Sequence, residues 1–373
     1  MKIIVSKNIL QSALHSIAPA TPTRSTIPIL NNVLLSTISD HAVTLRTTDT
    51  EMGLIREVET EVGENGSVCV EHKTLNEIVN EMPDTDISIS ADSENKISIS
   101  TNFGNYELVG VNPDEFPAVP QIDNKKNVAI NSRTLQRLIG KTMFAMSADE
   151  LKPALMGTLF EFNENGVNAI ATDGHKLSVC SRTDFKSNGY TGNVIVPRKF
   201  LKFLPQHLEE QDEITLSIGE NYISVSFENT TAYSRIIDER YPDYKSVLPK
   251  DNEKKVKGVK DEVLSSIRRV SILSNRTTRQ IVLHLGPDNC TISTEDPEKA
   301  SSAKEDISMD YTSEQMNVGY NSNYLIEIIS HLDTENFLMH LKTPISAGLI
   351  FPEKQQENEE LTMLLMPMRT GKE

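Results

Sequence analysis

Apolar positions along the chain switch between two periods, and the switch recurs. Six segments run from an apolar strand through a polar triplet into a helix: IIVSKNILQSAL, VCVEHKTLNEIV, VAINSRTLQRLI, VIVPRKFLKFLP, VKGVKDEVLSSI and VGYNSNYLIEII. In each, a leucine stands five positions after the last strand residue, at Leu10, Leu75, Leu135, Leu201, Leu264 and Leu325, so consecutive anchors lie 60 to 66 residues apart. The change of period predicts a strand followed by a helix, and the even interval predicts an internal repeat. Leu10, Ala13, Leu14 and Ile17, or Leu135, Leu138, Ile139 and Met143, form single core-facing helix stripes.

Between the helices the pattern returns to period 2, as in HAVTLRTTDTEM, GVNAIATDGHKL and DEITLSIGENYISVSF. Alternate units share the same echo, which pairs the six repeats into three domains, 1–122, 127–249 and 254–373. Polar linkers, PQIDNKKN and PKDNEKK, stand at the joints. The expected class is α+β: three similar domains, each of two halves in which one amphipathic helix lies on antiparallel strands. No Gly-rich loop joins a strand to a helix, which disfavours nucleotide-binding folds.

Composition narrows the function. The 373 residues carry a net charge of −16, too acidic for a protein that coats nucleic acid with a basic exterior. No apolar run is long enough to span a bilayer, so a cytoplasmic location with no membrane partner is expected. Cys69, Cys180 and Cys290 are odd in number and lack metal-ligand spacing, and read as reduced, buried strand residues. Neither metal nor cofactor is expected.

The basic charge that exists is segregated. Arg133, Arg137 and Lys141 recur at i, i+4 and i+8, giving residues 131–143 a net charge of +3, and Arg198, Lys199 and Lys202 cluster on the next helix. The second and sixth helices, 71–82 and 321–333, are net −2 each and break any uniform basic lining. Acid outside with base on selected helices suits DNA held within a negative shell. Six helices side by side enclose a ring roughly 18 Å across at their axes, which helix thickness fills. Twelve, from two copies, leave about 25 Å, enough for a duplex.

Two other readings are open at this point. Asp173 and His175, flanking Gly174, contain the residue types of an acid/base pair for a hydrolase, although Asp-Gly is foremost a turn pair. A repeat scaffold that binds proteins without encircling DNA also fits the pattern.

The segments RSTIPILNN from Arg24, TDTEM from Thr48, EFP from Glu115, ATDGHKL from Ala171, VIVPRK from Val194, YPDYKSVLP from Tyr241, ILSN from Ile272, NSNY from Asn321 and MPMR from Met366 occur in the order of a known family. Over essentially its whole length the chain resembles the bacterial DNA polymerase III beta subunit, the beta sliding clamp. The resemblance implies a non-catalytic processivity factor: a homodimeric ring of six domains, helices inside and sheets outside. Its implied partners are double-stranded DNA without sequence preference, the polymerase III catalytic subunit, a clamp loader, and other polymerases and repair proteins with clamp-binding peptides.

The resemblance also implies sites. A partner-peptide pocket would comprise Leu155, Thr172, Gly174, His175, Lys176, Leu177, Pro242, Val247, Asn321, Tyr324, Leu364, Leu365, Met366, Pro367, Met368 and Arg369. Its apolar walls and pliable methionines would suit short peptides from several clients. DNA contacts would come from Arg24, Lys73, Arg133, Arg137, Lys141, Arg198, Lys199, Lys202 and Arg240. The dimer contact would set Tyr106 and Leu108 against Ile272 and Leu273 of the second copy. The chain departs from the family pattern at Lys152, Pro153, Ala154, Ser246 and Thr278.

Overall fold

All six anchoring leucines are buried, each in an α-helix that follows a strand directly. The helices are α1 (Lys7–Ile17), α2 (His72–Glu81), α3 (Ser132–Thr142), α4 (Arg198–Phe203), α5 (Lys260–Ser271) and α6 (Ser322–Ser330). These positions come from a computed structural model that describes residues 1–22, 24–187, 190–208 and 213–370, so the last three residues of the third expected domain lie outside it. The α1 stripe of Leu10, Ala13, Leu14 and Ile17 is buried as the periodicity requires. In α3, Leu135, Leu138 and Ile139 are buried while Met143, just past the helix, is half-buried. Burying one such leucine contributes about 1.5 to 3 kcal/mol, so the anchors fix each helix on its strands.

The chain forms two compact units, one of Met1–Ser132 with Lys202–Ile236 and one of Arg133–Leu201 with Ile237–Glu373. The division runs through the second expected domain, because strand pairing continues across the joints that the linkers suggested. In the first unit, strand Thr230–Arg235 pairs antiparallel with Met52–Glu59, from Thr230 opposite Arg56 to Ser234 opposite Met52. This completes an eight-stranded sheet. Gly53 is required there, since a Cβ would lie 2.2 Å from the Tyr233 ring. The unit's other sheet has five strands, ordered Glu61–Glu64, Lys2–Ser6, Asp86–Ala91, Lys96–Thr101 and Gly104–Val109. Helices α1 and α2 pack together, joined by a hydrogen bond from Gln11 Nε2 to Asn80 Oδ1 of 2.8 Å.

In the second unit, strand Lys176–Arg182 pairs with Glu359–Leu365 along its whole length, from Lys176 opposite Leu365 to Arg182 opposite Glu359. That pairing makes a nine-stranded sheet. A four-stranded sheet, ordered Ser301–Asp306, Thr291–Asp296, Gln280–Leu285 and Met316–Asn321, accompanies it. Helix α5 packs on α6, and Lys260 Nζ donates to the Leu332 carbonyl at 2.6 Å, just beyond the end of α6. A cation there complements the helix dipole.

Candidate functional site

The strand pair that joins the nine-stranded sheet carries four of the residues expected in the pocket, Lys176, Leu177, Leu364 and Leu365. Leu177 and Leu364 face each other and belong to one apolar cluster with Leu159, Ile170, Val179, Ile195 and Tyr244. Ala154, Tyr241, Leu248, Ala347 and Leu349 pack against that cluster while keeping some exposure. Next to Leu248 in the chain, Val247 is 55% exposed, and two residues beyond Leu364, Met366 is 43% exposed; Pro242 is also exposed. Leu155 is buried at the margin. Leu365, one residue beyond Leu364, lies on the opposite face of its strand by period 2 and is wholly buried, which makes it core.

The tail after that strand is held by backbone bonds. Met366 N–H donates to the His175 carbonyl at 2.9 Å, and Met368 N–H to the Gly319 carbonyl at 2.8 Å. Gln280 Nε2 donates to the Arg369 carbonyl at 3.0 Å. Pro367 and Met368 are thereby half-buried with usable side-chain surface.

The turn at residues 172–176 fixes one wall. Gly174 has φ +91°, a conformation that L side chains rarely adopt. Asp173 Oδ1 accepts the His175 and Lys176 N–H groups at 2.8 and 2.9 Å, and Thr172 Oγ1 donates to the Lys176 carbonyl at 2.7 Å. The Lys176 ammonium is buried, 2.8 Å from Asp173 and 3.0 Å from Glu327 of α6. It also lies 4.5 Å from the centre of the Tyr324 ring, on whose plane His175 stacks at 5.7 Å. Burial works against the Lys176 charge, yet the bonds from Asp173 and Glu327 override it and raise its pKa. Lys176 therefore braces the wall from beneath, which corrects its expected place on the pocket surface. Asn321 caps α6, its Oδ1 accepting from Asn323 N–H at 3.0 Å.

The same bonds remove the basis for the hydrolase reading. The Asp173 carboxylate is spent on the turn and on Lys176, while the His175 ring pairs with Tyr324.

The expected basic stripe of α3 is corrected more sharply. Arg133 is exposed, but Lys141 is only 8% exposed, with Nζ 2.6 Å from both Asp333 Oδ1 and the His331 carbonyl. Arg137 donates to Glu359 Oε1 at 2.6 Å and to Asp333 Oδ2 at 2.7 Å. The buried Glu359 carboxylate also lies 3.8 Å from Arg182, which itself pairs with Asp184 at 2.7 Å. Burial opposes the Arg137 charge, but Glu359 and Asp333 overcome it and raise the guanidinium pKa. Helix spacing put three cations in line; for Arg137 and Lys141 that line meets neighbouring acids. Elsewhere Arg24, Lys73, Lys202 and Arg240 are exposed, and Lys73 is 3.8 Å from Glu77. Arg198 and Lys199 are half-buried, with Arg198 Nη2 donating to the Met146 carbonyl at 2.8 Å. Sequence reasoning missed Glu359, Asp333 and Glu327, whose partners are distant in the chain, and Arg182, which pairs with nearby Asp184 as well as lying near distant Glu359.

Three other features bear on chemistry. Burial pushes the Cys69 and Cys180 thiols up to about 12 and raises Cys290 as well, leaving all three poor nucleophiles. Among the described residues no group of three His, Cys, Asp or Glu could hold a metal ion, and no helix is long and apolar enough to cross a membrane. Burial also lowers His72 and His331 below their ordinary value of 6.5. His72 Nε2 lies 3.0 Å from the Leu14 carbonyl, and His331 stacks on Phe144 at 3.9 Å.

A histidine with a depressed folded pKa favours the neutral state, so its contribution is complete above the unfolded value and shrinks as pH falls below it. We expect the melting temperature to be level from pH 8 to 7 and to drop by a few degrees by pH 5.5. His331→Gln should flatten part of that slope. A profile flat to pH 5.5 in the parent chain would contradict the assignment.

Comparison with known proteins gives a single answer. The DNA polymerase III beta subunit profiles match at residues 1–120 for the N-terminal domain, 129–243 for the central domain and 245–369 for the C-terminal domain. The chain is 29% identical over 371 residues to the beta sliding clamp of Pseudomonas aeruginosa, covering 99% of this chain and 100% of that one. Identity to the Haemophilus influenzae beta sliding clamp is 30% over 372 residues, with the same coverage. The crystal structure of the DNA polymerase III subunit beta from Pseudomonas aeruginosa superposes with a TM-score of 0.93 at 29% identity, covering 99% of this chain and 100% of that chain. A sliding clamp from the same organism bound to griselimycin gives a TM-score of 0.91 at 29% identity, with the same coverage.

Proposed function

The chain belongs to the DNA polymerase III beta-subunit family of non-catalytic sliding clamps, and we propose that two copies close into a ring that encircles duplex DNA and tethers the replicative polymerase through the groove floored by Leu177 and Leu364. It has three clamp domains, each combining helices with antiparallel sheet. The polymerase III catalytic subunit, the clamp loader, and other polymerases and repair proteins would use the groove in turn, each inserting a short peptide.

On the DNA side, sliding needs phosphate contacts that are numerous, weak and blind to base sequence. Arg24, Lys73, Arg133, Arg198, Lys199, Lys202 and Arg240 are assigned that task. Arg137 and Lys141 instead hold α3 to the acids around α6.

What supports the tethering role is the apolar cluster of Leu177 and Leu364, with the exposed Val247 and Met366 adjoining its residues in the chain and the His175–Tyr324 ring pair on the neighbouring turn. Replacing Met366 and Met368 with Ala removes adaptable apolar contacts. A fluorescent peptide from the polymerase's clamp-binding segment should bind about tenfold to a hundredfold more weakly. Sedimentation should show an unchanged dimer. Unaltered peptide affinity would remove the groove assignment.

A further inference from the structure

Strand register extends the face of the nine-stranded sheet that bears Leu177 and Leu364. Leu177 pairs with Leu364, Leu364 with Leu349, Leu349 with His340, and His340 with Lys255. Cross-strand partners in an antiparallel ladder project from one face, so these five side chains form a single row. The alternate positions face the other way: Val256, Met339, Ile350 and Met363 are wholly buried.

Away from Leu177 the row changes character. Leu349 packs against the apolar cluster and keeps some exposure. His340 and Phe351 lie diagonally on this face, with ring centroids 5.0 Å apart and planes at 59°, and both are half-buried. Leu338, opposite Phe351, is half-buried as well. Burial, and after it the charge of Lys255, hold His340 below its ordinary value of 6.5, so at neutral pH its ring is an uncharged aromatic surface. Lys255 ends the row. It is exposed, and among the described residues no carboxylate pairs with it, whereas Lys254 is 2.5 Å from Glu314 and Lys257 is 2.6 Å from Glu353. A half-exposed apolar row ended by an unpaired cation is complementary to a ligand that is apolar first and acidic at its end.

We propose that this row is a second docking strip, continuous with the peptide groove, and that its occupant is the flank of a client's clamp-binding segment: an apolar or aromatic residue set on Leu349, His340 and Phe351, then an acidic residue set on Lys255. The inference rests on the groove reading above and names the chemistry of the sequence beside the peptide core. Three strand steps of about 4.8 Å separate Leu364 from Lys255, about 14 Å in all, which an extended peptide covers in roughly four residues. The strip grades clients that share one core segment. Those with an acidic flank at this spacing dissociate more slowly, and the others exchange first.

The test measures fluorescent peptides on the full chain: the clamp-binding core alone, and the core extended by Trp and then Glu at this spacing, with the extension at one end or the other in separate peptides. One of the extended peptides should bind about tenfold more tightly than the core. Lys255→Glu should weaken that peptide about fivefold at low salt, with the deficit shrinking in 1 M salt, and should leave the core peptide, which does not reach Lys255, as tight as before. Exchanging the peptide's Glu for Lys should restore tight binding to Lys255→Glu. Extensions that add nothing at either end would overturn the strip and leave the groove reading standing, as would a Lys255→Glu deficit equal for core and extended peptides. A short single-stranded oligonucleotide that competes with the extension on the parent but not on Lys255→Glu would assign the strip to nucleic acid and overturn the proposal too. A parent chain that fails to bind the core peptide would overturn the groove reading itself.

Discussion

Replacing Ile272 and Leu273 together with Asp should turn the dimer into a monomer that still folds. Both side chains are solvent-exposed in the single chain, at 77% and 40%, so their loss should cost the fold within about 0.5 kcal/mol. In the ring, each junction would instead bury two carboxylates against Tyr106 and Leu108 of the second copy. At roughly 2 to 3 kcal/mol for each desolvated group, and with two junctions, the dimer constant weakens by several orders of magnitude. Mass measurement in solution should move from twice 41.6 kDa to 41.6 kDa, with an unchanged circular dichroism spectrum. A variant that stays dimeric at micromolar concentration would place the interface elsewhere.

Glu359→Ala should be the most destabilising single change outside the apolar core. The Glu359 side chain is 1% exposed and lies between Arg137 and Arg182, themselves 23% and 16% exposed. Removing it leaves the Arg137 and Arg182 guanidinium groups short of water and with one acid each, Asp333 and Asp184, and costs about 1.5 to 3 kcal/mol for each charged partner that loses its bond. The cost should appear as a lower melting temperature of the whole chain. Arg137→Met in the Glu359→Ala background should recover part of it, since an apolar side chain needs no counter-charge. If Glu359→Ala melts with the parent, the cluster is held by packing alone.

These two expectations differ in how legible they were. The repeat, the six helices and the buried anchors followed from apolar spacing, because the energy that places a helix on its sheet is local to its own stripe. Ile272 and Leu273 came from the family resemblance, and exposed apolar residues at the end of α5 agree with a surface awaiting a partner. Glu359, by contrast, sits in a strand of alternating burial, and nothing near it in sequence announces Arg137, which lies 222 residues earlier. Non-local ion pairs leave no periodic trace.

The error over Arg137 and Lys141 has the same source. Spacing of four residues establishes that side chains share a helix face; it cannot say what that face meets. For α3 the face meets Asp333 and Glu359, so only Arg133 of the three remains on open surface. Sheet continuity was hidden likewise. The linkers at 120–127 and 249–255 do separate strands, but backbone pairing disregards them and draws Thr230–Arg235 onto Met52–Glu59 and Glu359–Leu365 onto Lys176–Arg182. Backbone hydrogen bonds carry no side-chain signature, which is why sequence marks domains more readily than sheets.

Averaged electron micrographs of the purified chain bear most directly on encirclement. Two copies joined end to end should give a ring with a central opening of about 25 Å or more. A compact particle with no opening at any orientation would contradict the ring and the tethering role derived from it.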